Sequence, residues 1–217
     1  MTQVVRKTVG FGRGKVLLGV LAVLAAGALA VGLIAPRALA QGGSSFDARD
    51  GGFSIDAVHS HVGFRIMHMN AAWNFGRFNE FEGAFLLDAD NPDDSFIDVR
   101  INVRSVDTNH DGRDNHLRNA DFFNVTQFPA ATFESTDVEH VGGDRFRVTG
   151  DFTLMGATEE LTLDVTKTGE SPGRRGGTVA GLYTEYEISR SDFGITSYPE
   201  TLGDTVRMMV SLEGGRQ

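Results

Sequence analysis

The chain has 217 residues, 29 acidic against 20 basic side chains, a formal net charge of −9 and no cysteine. Disulfides, a thiolate nucleophile and a lipid-modified terminal cysteine are excluded, and so negative a field excludes nucleic acid and anionic membrane surfaces as electrostatic partners. The length suits one domain with a full core.

The charge is unevenly spread. Arg6, Lys7, Arg13 and Lys15 precede an uncharged run from Val16 to Ala35, and Ala38-Leu39-Ala40 supplies a small-x-small cleavage site before Gln41. This layout predicts a signal peptide over 1–40 and a periplasmic or secreted protein. The run is 20 residues long, enough to span a bilayer, so an inner-membrane anchor at 16–35 is the alternative. Without the first 40 residues the chain keeps 15 basic and 29 acidic groups, a net of −14. Export does not conflict with the lack of cysteine, since an oxidising compartment permits disulfides without requiring them. Residues 41–52, rich in Gly, Ser and Asp, read as a flexible linker, and 53–217 as the folded domain.

Within that domain the apolar residues recur with period two, the mark of strands with one dry face. Phe53 and Ile55 open a short strand. Val62, Phe64, Ile66 and His68 form the next face, whose parity differs from Phe53 and Ile55, so a bulge or turn is required within 56–61. Asn70 to Phe75, with the single tryptophan Trp73, breaks the pattern. Phe81, Gly83, Phe85 and Leu87 follow, then a turn at Asn91-Pro92-Asp93-Asp94. Ile97, Val99, Ile101 and Val103 alternate with Asp98, Arg100, Asn102 and Arg104. A short polar helix is expected from Asp114 to Phe123, ended before Pro129, because proline lacks the donor a helix interior needs. Thr132 to Ser135 resumes as strand. Phe146 to Leu154 and Leu161 to Val165, joined by a turn at 155–160, make a hairpin. Ala180 to Ile188 and Val206 to Leu212 complete the set.

The fold class is therefore all-β. About eight antiparallel strands with one short helix between them fit an up-and-down barrel better than a sandwich, since glycines inside strands (Gly63, Gly83, Gly150, Gly181) permit the bends that closure needs. The expected interior is apolar: Phe64, Ile66, Phe85, Ile101, Phe133, Phe152, Leu154, Tyr186 and Met208. These side chains either fill the barrel or leave room for one elongated apolar ligand, an arrangement that eight strands allow.

Ordered motifs carry a resemblance. Ile55-Asp56-x-x-His59-Ser60, Val62-x-Phe64-x-x-x-His68, Ser105-x-x-Thr108, Arg113-Asp114-x-His116-Leu117, Asp121-Phe122-Phe123, Phe128-Pro129-x-x-Thr132-Phe133, the hairpin at Gly150–Thr158 and Ser189-Arg190-Ser191-Asp192-Phe193-Gly194-Ile195 occur in that order. Together they resemble the YceI-like family, lipocalin-like periplasmic proteins that bind polyisoprenoids, across Phe53 to Leu212. The resemblance implies an extended antiparallel barrel whose apolar channel holds an isoprenoid tail, such as a quinone or polyprenyl phosphate. It also departs from the family at Asn70 to Gly76, which is longer and more aromatic and places Trp73 where it could cap or narrow the mouth.

The polar groups divide less sharply. Arg190 shares the inward parity of Tyr186 and Ile188, and an inward guanidinium needs an anion. An internal carboxylate (Asp114, Asp121 or Asp192) is the expected partner; a ligand phosphate or quinone oxygen near Arg113 and His116 is the other. His59, His61, His68, His110 and His116 show no spacing that makes three or four ligands converge, so no metal is expected. Asp107-x-Asn109-x-Asp111-Gly112 copies the start of a calcium loop, but its twelfth position is Arg118 where a bidentate Glu is needed. No nucleophile elbow or zinc-protease motif is present. The reading is an exported, non-enzymatic carrier of an amphiphilic lipid-like ligand with no other cofactor, with transient membrane contact and a homodimer left open. The rivals are a secreted enzyme using the His/Asp/Arg cluster at 107–121 and a ligand-free adhesion or scaffold barrel.

Overall fold

Among the described residues, eleven strands pair into one ring. The computed structural model describes residues 51–174 and 176–216; the export segment and nearly all of the linker expected from the sequence lie outside them. Strands β1 (Phe53–Ile55) and β2 (His61–His68) form one stave, β3 (Ala72–Phe78) and β4 (Phe81–Leu86) the second, and β5 (Phe96–Asn102) and β6 (Val106–Asp107) the third. β7 (Ala130–Gly142), β8 (Arg145–Leu154), β9 (Ala157–Pro172), β10 (Thr178–Ser189) and β11 (Leu202–Arg216) supply the other five. Every neighbour is antiparallel and in chain order, and β11 closes the barrel by pairing with β2 along one half and β1 along the other. This is the closed eight-stave, up-and-down barrel that the alternation predicts, and closure leaves few strand edges bare.

The parity change at 56–61 is the break between β1 and β2. The Asp56 carboxylate accepts from the Val58 N–H and pairs with the His59 ring at 2.8 Å, which turns the chain. The expected hairpin turns through Met155 and Gly156, both with positive φ (55° and 79°), the mirror-image turn that matches the twist of β8 and β9. Gly150 lets β7 and β8 come close: a Cβ there would lie 2.7 Å from the Glu134 carbonyl and from the Phe133 ring.

Three local expectations are corrected. The stretch Asn70 to Phe75 does not break the β pattern for long, because β3 begins at Ala72 and pairs with β2 up to Phe78↔Val62. Val103 does not extend β5; it opens a one-turn 3-10 helix that bends the stave into β6. The helix is Asp111–Leu117 (α1), three residues earlier than predicted at its start and six at its end. His110 starts it by accepting the Arg113 N–H on its ring nitrogen. It stops because the Phe122 and Phe123 amides turn back onto Asn119 and Leu117, well before Pro129.

α1 and the loop after it lie at the end of the barrel where β2 turns into β3, β8 into β9, and β10 hands over to β11. The opposite end is solid. Phe53, Phe85, Phe146, Leu87, Leu182 and Val148 are each at most 2 % exposed, Phe53 stacks on Phe85 with ring centroids 5.8 Å apart, and the Arg216 guanidinium lies 4.3 Å over Phe53.

Candidate functional site

Between α1 and that plug the barrel is hollow. A cavity of about 430 Å³ opens at the α1 end. Its walls come from the inward positions of the staves: Phe64, Ile66 and His68 on β2, Phe78 on β3, Ile101 on β5, Ala131 on β7, Phe152 and Leu154 on β8, Ile188 on β10, and Leu202, Val206 and Met208 on β11. Its rim comes from the mouth: Thr108, Arg113, His116, Leu117, Phe122 and Phe123 around α1, Asn74 and Phe75 on β3, and Arg190, Ile195, Tyr198 and Thr201 between β10 and β11. The walls are hydrocarbon and aromatic almost throughout, and the polar groups gather at the open end. A chamber so built takes the apolar part of a ligand inward and leaves a polar part at the mouth.

Of the sequence-predicted residues, the structure brings Phe64, Ile66, His68, Ile101, Phe152, Leu154, Met208, Arg113, His116 and Arg190 together around this cavity. It places four elsewhere. Trp73 is 43 % exposed; it lies opposite Met67 in the β2–β3 pairing, on the outward parity, with the Arg65 guanidinium 4.4 Å over its ring. It does not cap the mouth; its neighbours Asn74 and Phe75 reach the cavity instead. Phe85 belongs to the plug, stacked on Phe53. Phe133 is one inward position deeper than Ala131 and is packed beneath the cavity. Tyr186 packs against the core on the inward face of β10, its hydroxyl without a hydrogen-bond partner among the described residues; burial pushes its phenol well above the ordinary range.

Arg190 also departs from expectation. It is 5 % exposed, yet among the described residues no carboxylate meets it. Its Nε donates to the Gly203 carbonyl (2.9 Å), Nη1 to Ile195 (2.7 Å) and Ser197 (2.8 Å), and Nη2 to Leu202 (3.3 Å). Four carbonyls replace the ion pair because the chain between β10 and β11 wraps around the guanidinium, offering backbone oxygens from both arms of the loop. The loop is thereby fixed at the rim, with Phe193 turned in to meet Phe152 edge-on at 5.4 Å.

The mouth around α1 is equally knit. Asp114, 6 % exposed, accepts from the Thr108 N–H at 2.8 Å and from the Thr108 hydroxyl. Arg113 gives Nε to the Thr108 hydroxyl (2.7 Å) and Nη2 to its carbonyl (2.6 Å); its Nη1 has no partner among the described residues, and the side chain lines the cavity. His116 contacts Asp121 at 3.1 Å and stands edge-on to Phe122 and Tyr198, whose rings stack on each other at 5.8 Å. Thr108, Tyr198, Asn74 and the twin phenylalanines were missed as site residues. Phe122-Phe123 was legible only as part of the Asp121-Phe122-Phe123 motif at the end of the expected helix; Tyr198 lies in an aperiodic loop and carried no signal.

Outside the barrel, Asp56, His59 and Glu213 bring ligand atoms within 4.8 Å of one another. All three are half exposed and already serve the break between β1 and β2, where the Glu213 carbonyl accepts from the Asp56 N–H at 2.8 Å.

Comparison with known proteins agrees with this architecture. The YceI-like domain pattern matches residues 53–214. A UPF0312 protein of Pectobacterium carotovorum is 40% identical over 185 residues, covering 85% of this chain and 95% of its own. Protein YceI of Salmonella newport is 42% identical over 162 residues, 75% and 84% of the two chains. Among solved structures, BcnA of Burkholderia cenocepacia superposes with a TM-score of 0.65 at 23% identity, over 74% of this chain and 99% of that one. A polyisoprenoid-binding domain from Saccharophagus degradans gives 0.58 at 17%, over 76% and 98%. The domain pattern spans the whole barrel, rim and plug alike, and relatives at this identity share it nearly end to end: the chain belongs to the YceI-like family.

Proposed function

We propose that this protein is an exported, non-catalytic carrier that sequesters an isoprenoid (a quinone or a polyprenyl phosphate) or a similar amphiphile, with the tail in the barrel and the head at the mouth. The observation that carries this is the separation of chemistry along the cavity, apolar walls below and Arg113, His116, Thr108 and Asn74 at the opening. The polyisoprenoid-binding domain of Saccharophagus degradans, with the same fold, supports the reading. Burial of about fifteen carbons at ~0.8 kcal/mol each gives roughly 12 kcal/mol gross, of which ordering and immobilisation remove several, leaving micromolar affinity or better. The polar side chains at the mouth are engaged in holding α1 and the β10–β11 loop, which supports a binding role over turnover. Export rests on the first 40 residues, and an intact mass beginning at Gln41 after secretion is its check.

Contact with a membrane belongs to the same reading. Met69, Trp73, Phe75 and Tyr198 are 43–62 % exposed at the end where the cavity opens, and Phe75 and Tyr198 also line it. An amphiphile crossing from a bilayer into the barrel has exposed apolar side chains beside the polar groups of the mouth to pass along.

The test is native mass spectrometry of the purified, solvent-extracted protein titrated with farnesol and farnesyl phosphate. A 1:1 adduct with each is expected, and only the bare mass at saturating probe overturns the reading. Replacing Arg113 by Gln lowers affinity for farnesyl phosphate about tenfold relative to farnesol, the worth of a charge-assisted hydrogen bond.

A further inference from the structure

We infer that the cavity measures tail length, selecting amphiphiles with a tail of about three isoprene units over long polyprenyl chains. This rests on the lipid-carrier reading and sharpens it to a substrate class.

Along each lining strand the next inward position toward the plug no longer borders the hollow, and the boundary is staggered: Phe78 lines the cavity opposite Val62, and Met208 opposite Tyr186, neither of which does. On β2, Phe64 lines the cavity while Val62, the next inward position, is 1 % exposed and packed. On β11, paired with it, Met208 lines the cavity and Val210 and Leu212 do not. On the far wall Phe152 and Ile101 line it, whereas Phe133, which pairs with both Phe152 and Val99, lies below. This staggered boundary is a floor, built by the buried side chains of Val62, Val99, Phe133 and Val210 packed between the hollow and the plug. Beneath it Phe146, Leu182 and the Phe53–Phe85 stack fill the remaining length. Passing a tail through that half would displace several close-packed rings at once, and interiors of this density do not open for free.

The volume gives the ruler its scale. A cavity of about 150 Å³ holds one benzene, so the 430 Å³ here has room for about three bodies of that size, close to fifteen branched carbons. Carbons beyond that length stay outside the mouth and gain nothing from the barrel, because stabilisation follows the apolar area removed from water.

The experiment measures dissociation constants of geraniol, farnesol, geranylgeraniol and solanesol with the secreted protein in a fixed low level of detergent. Affinity rises about tenfold or more from the ten-carbon to the fifteen-carbon tail and then stays level within a few-fold. A continued rise through the twenty- and forty-five-carbon tails overturns the inference while leaving the carrier reading standing; absence of binding by the whole series sinks both. Phe133→Ala, which opens the floor, moves the plateau to the twenty-carbon tail. A plateau that stays at fifteen carbons in the folded variant removes the floor from the explanation.

Discussion

At the scale of single residues, two charged groups do opposite things. Arg190 is a buried cation used as a backbone clamp, and its planar fork alone can serve four carbonyls around one loop. Arg190→Lys keeps the charge and loses the fork, leaving buried carbonyls without donors; a loss of about 2 kcal/mol or more and a melting point lower by about 5 °C are expected in a thermal melt. His59, exposed beside the β1–β2 break, is a titrating contact. Its hydrogen bond to Asp56 raises the imidazole above its ordinary 6.5, aided by the charges of Asp56 and Glu213, and the same bond lowers Asp56 below 3.8. The His59 share of stability is complete below pH 6.5 and fades as pH climbs through the raised value; the Asp56 share is complete above pH 3.8 and fades as pH falls through the lowered one. The melting-point difference between the protein and His59→Gln is therefore greatest near pH 5 and shrinks by about pH 8.5. A difference that grows with pH would contradict this geometry. Neither role could be read from strand parity: parity put Arg190 inside, but its partners are backbone oxygens of an aperiodic loop, which carry no letter in the sequence.

At the scale of elements, period two was legible wherever a strand had one wet and one dry face, and it located nearly every stave. It failed where that contrast vanished. β3 offers Trp73 outward, Phe75 half exposed at the rim and Asn74 and Gly76 inward, an inverted pattern that only makes sense beside β2, with Gly76 leaving space for the Phe64 ring. The helix was found but displaced, because its start is set by a histidine cap and its end by returning amides, where sequence rules favour Asp or Ser and proline. The inverted strand has a measurable consequence. Trp73 is the single tryptophan and stands exposed on the outer face beside the mouth, so its emission reports on what that face touches. Zwitterionic phosphatidylcholine vesicles are expected to shift that emission to the blue, and brominated lipid to quench it; the loss of both effects in Met69→Ser/Phe75→Ser marks the rim as the contact. An unchanged spectrum at saturating lipid would exclude docking by this face.

At the scale of the whole molecule, closure into eight staves followed from the number of amphipathic runs, their order and their glycines. What did not follow was how the lumen is divided. Phe64 and Phe85, or Phe152 and Phe133, are alike in type, parity and burial tendency; only the tilt and stagger of the staves decide which ring faces empty space and which meets another ring across the axis. The division into a hollow half and a filled half has one more result. In the carrier role proposed above, a tail held in a blind socket would go in tail foremost and come out head foremost, by the doorway it used on arrival. Giver and receiver would then take turns at a single threshold, and transfer between them would follow alternating, shuttle-like kinetics instead of flow along a bridge that touches both at once.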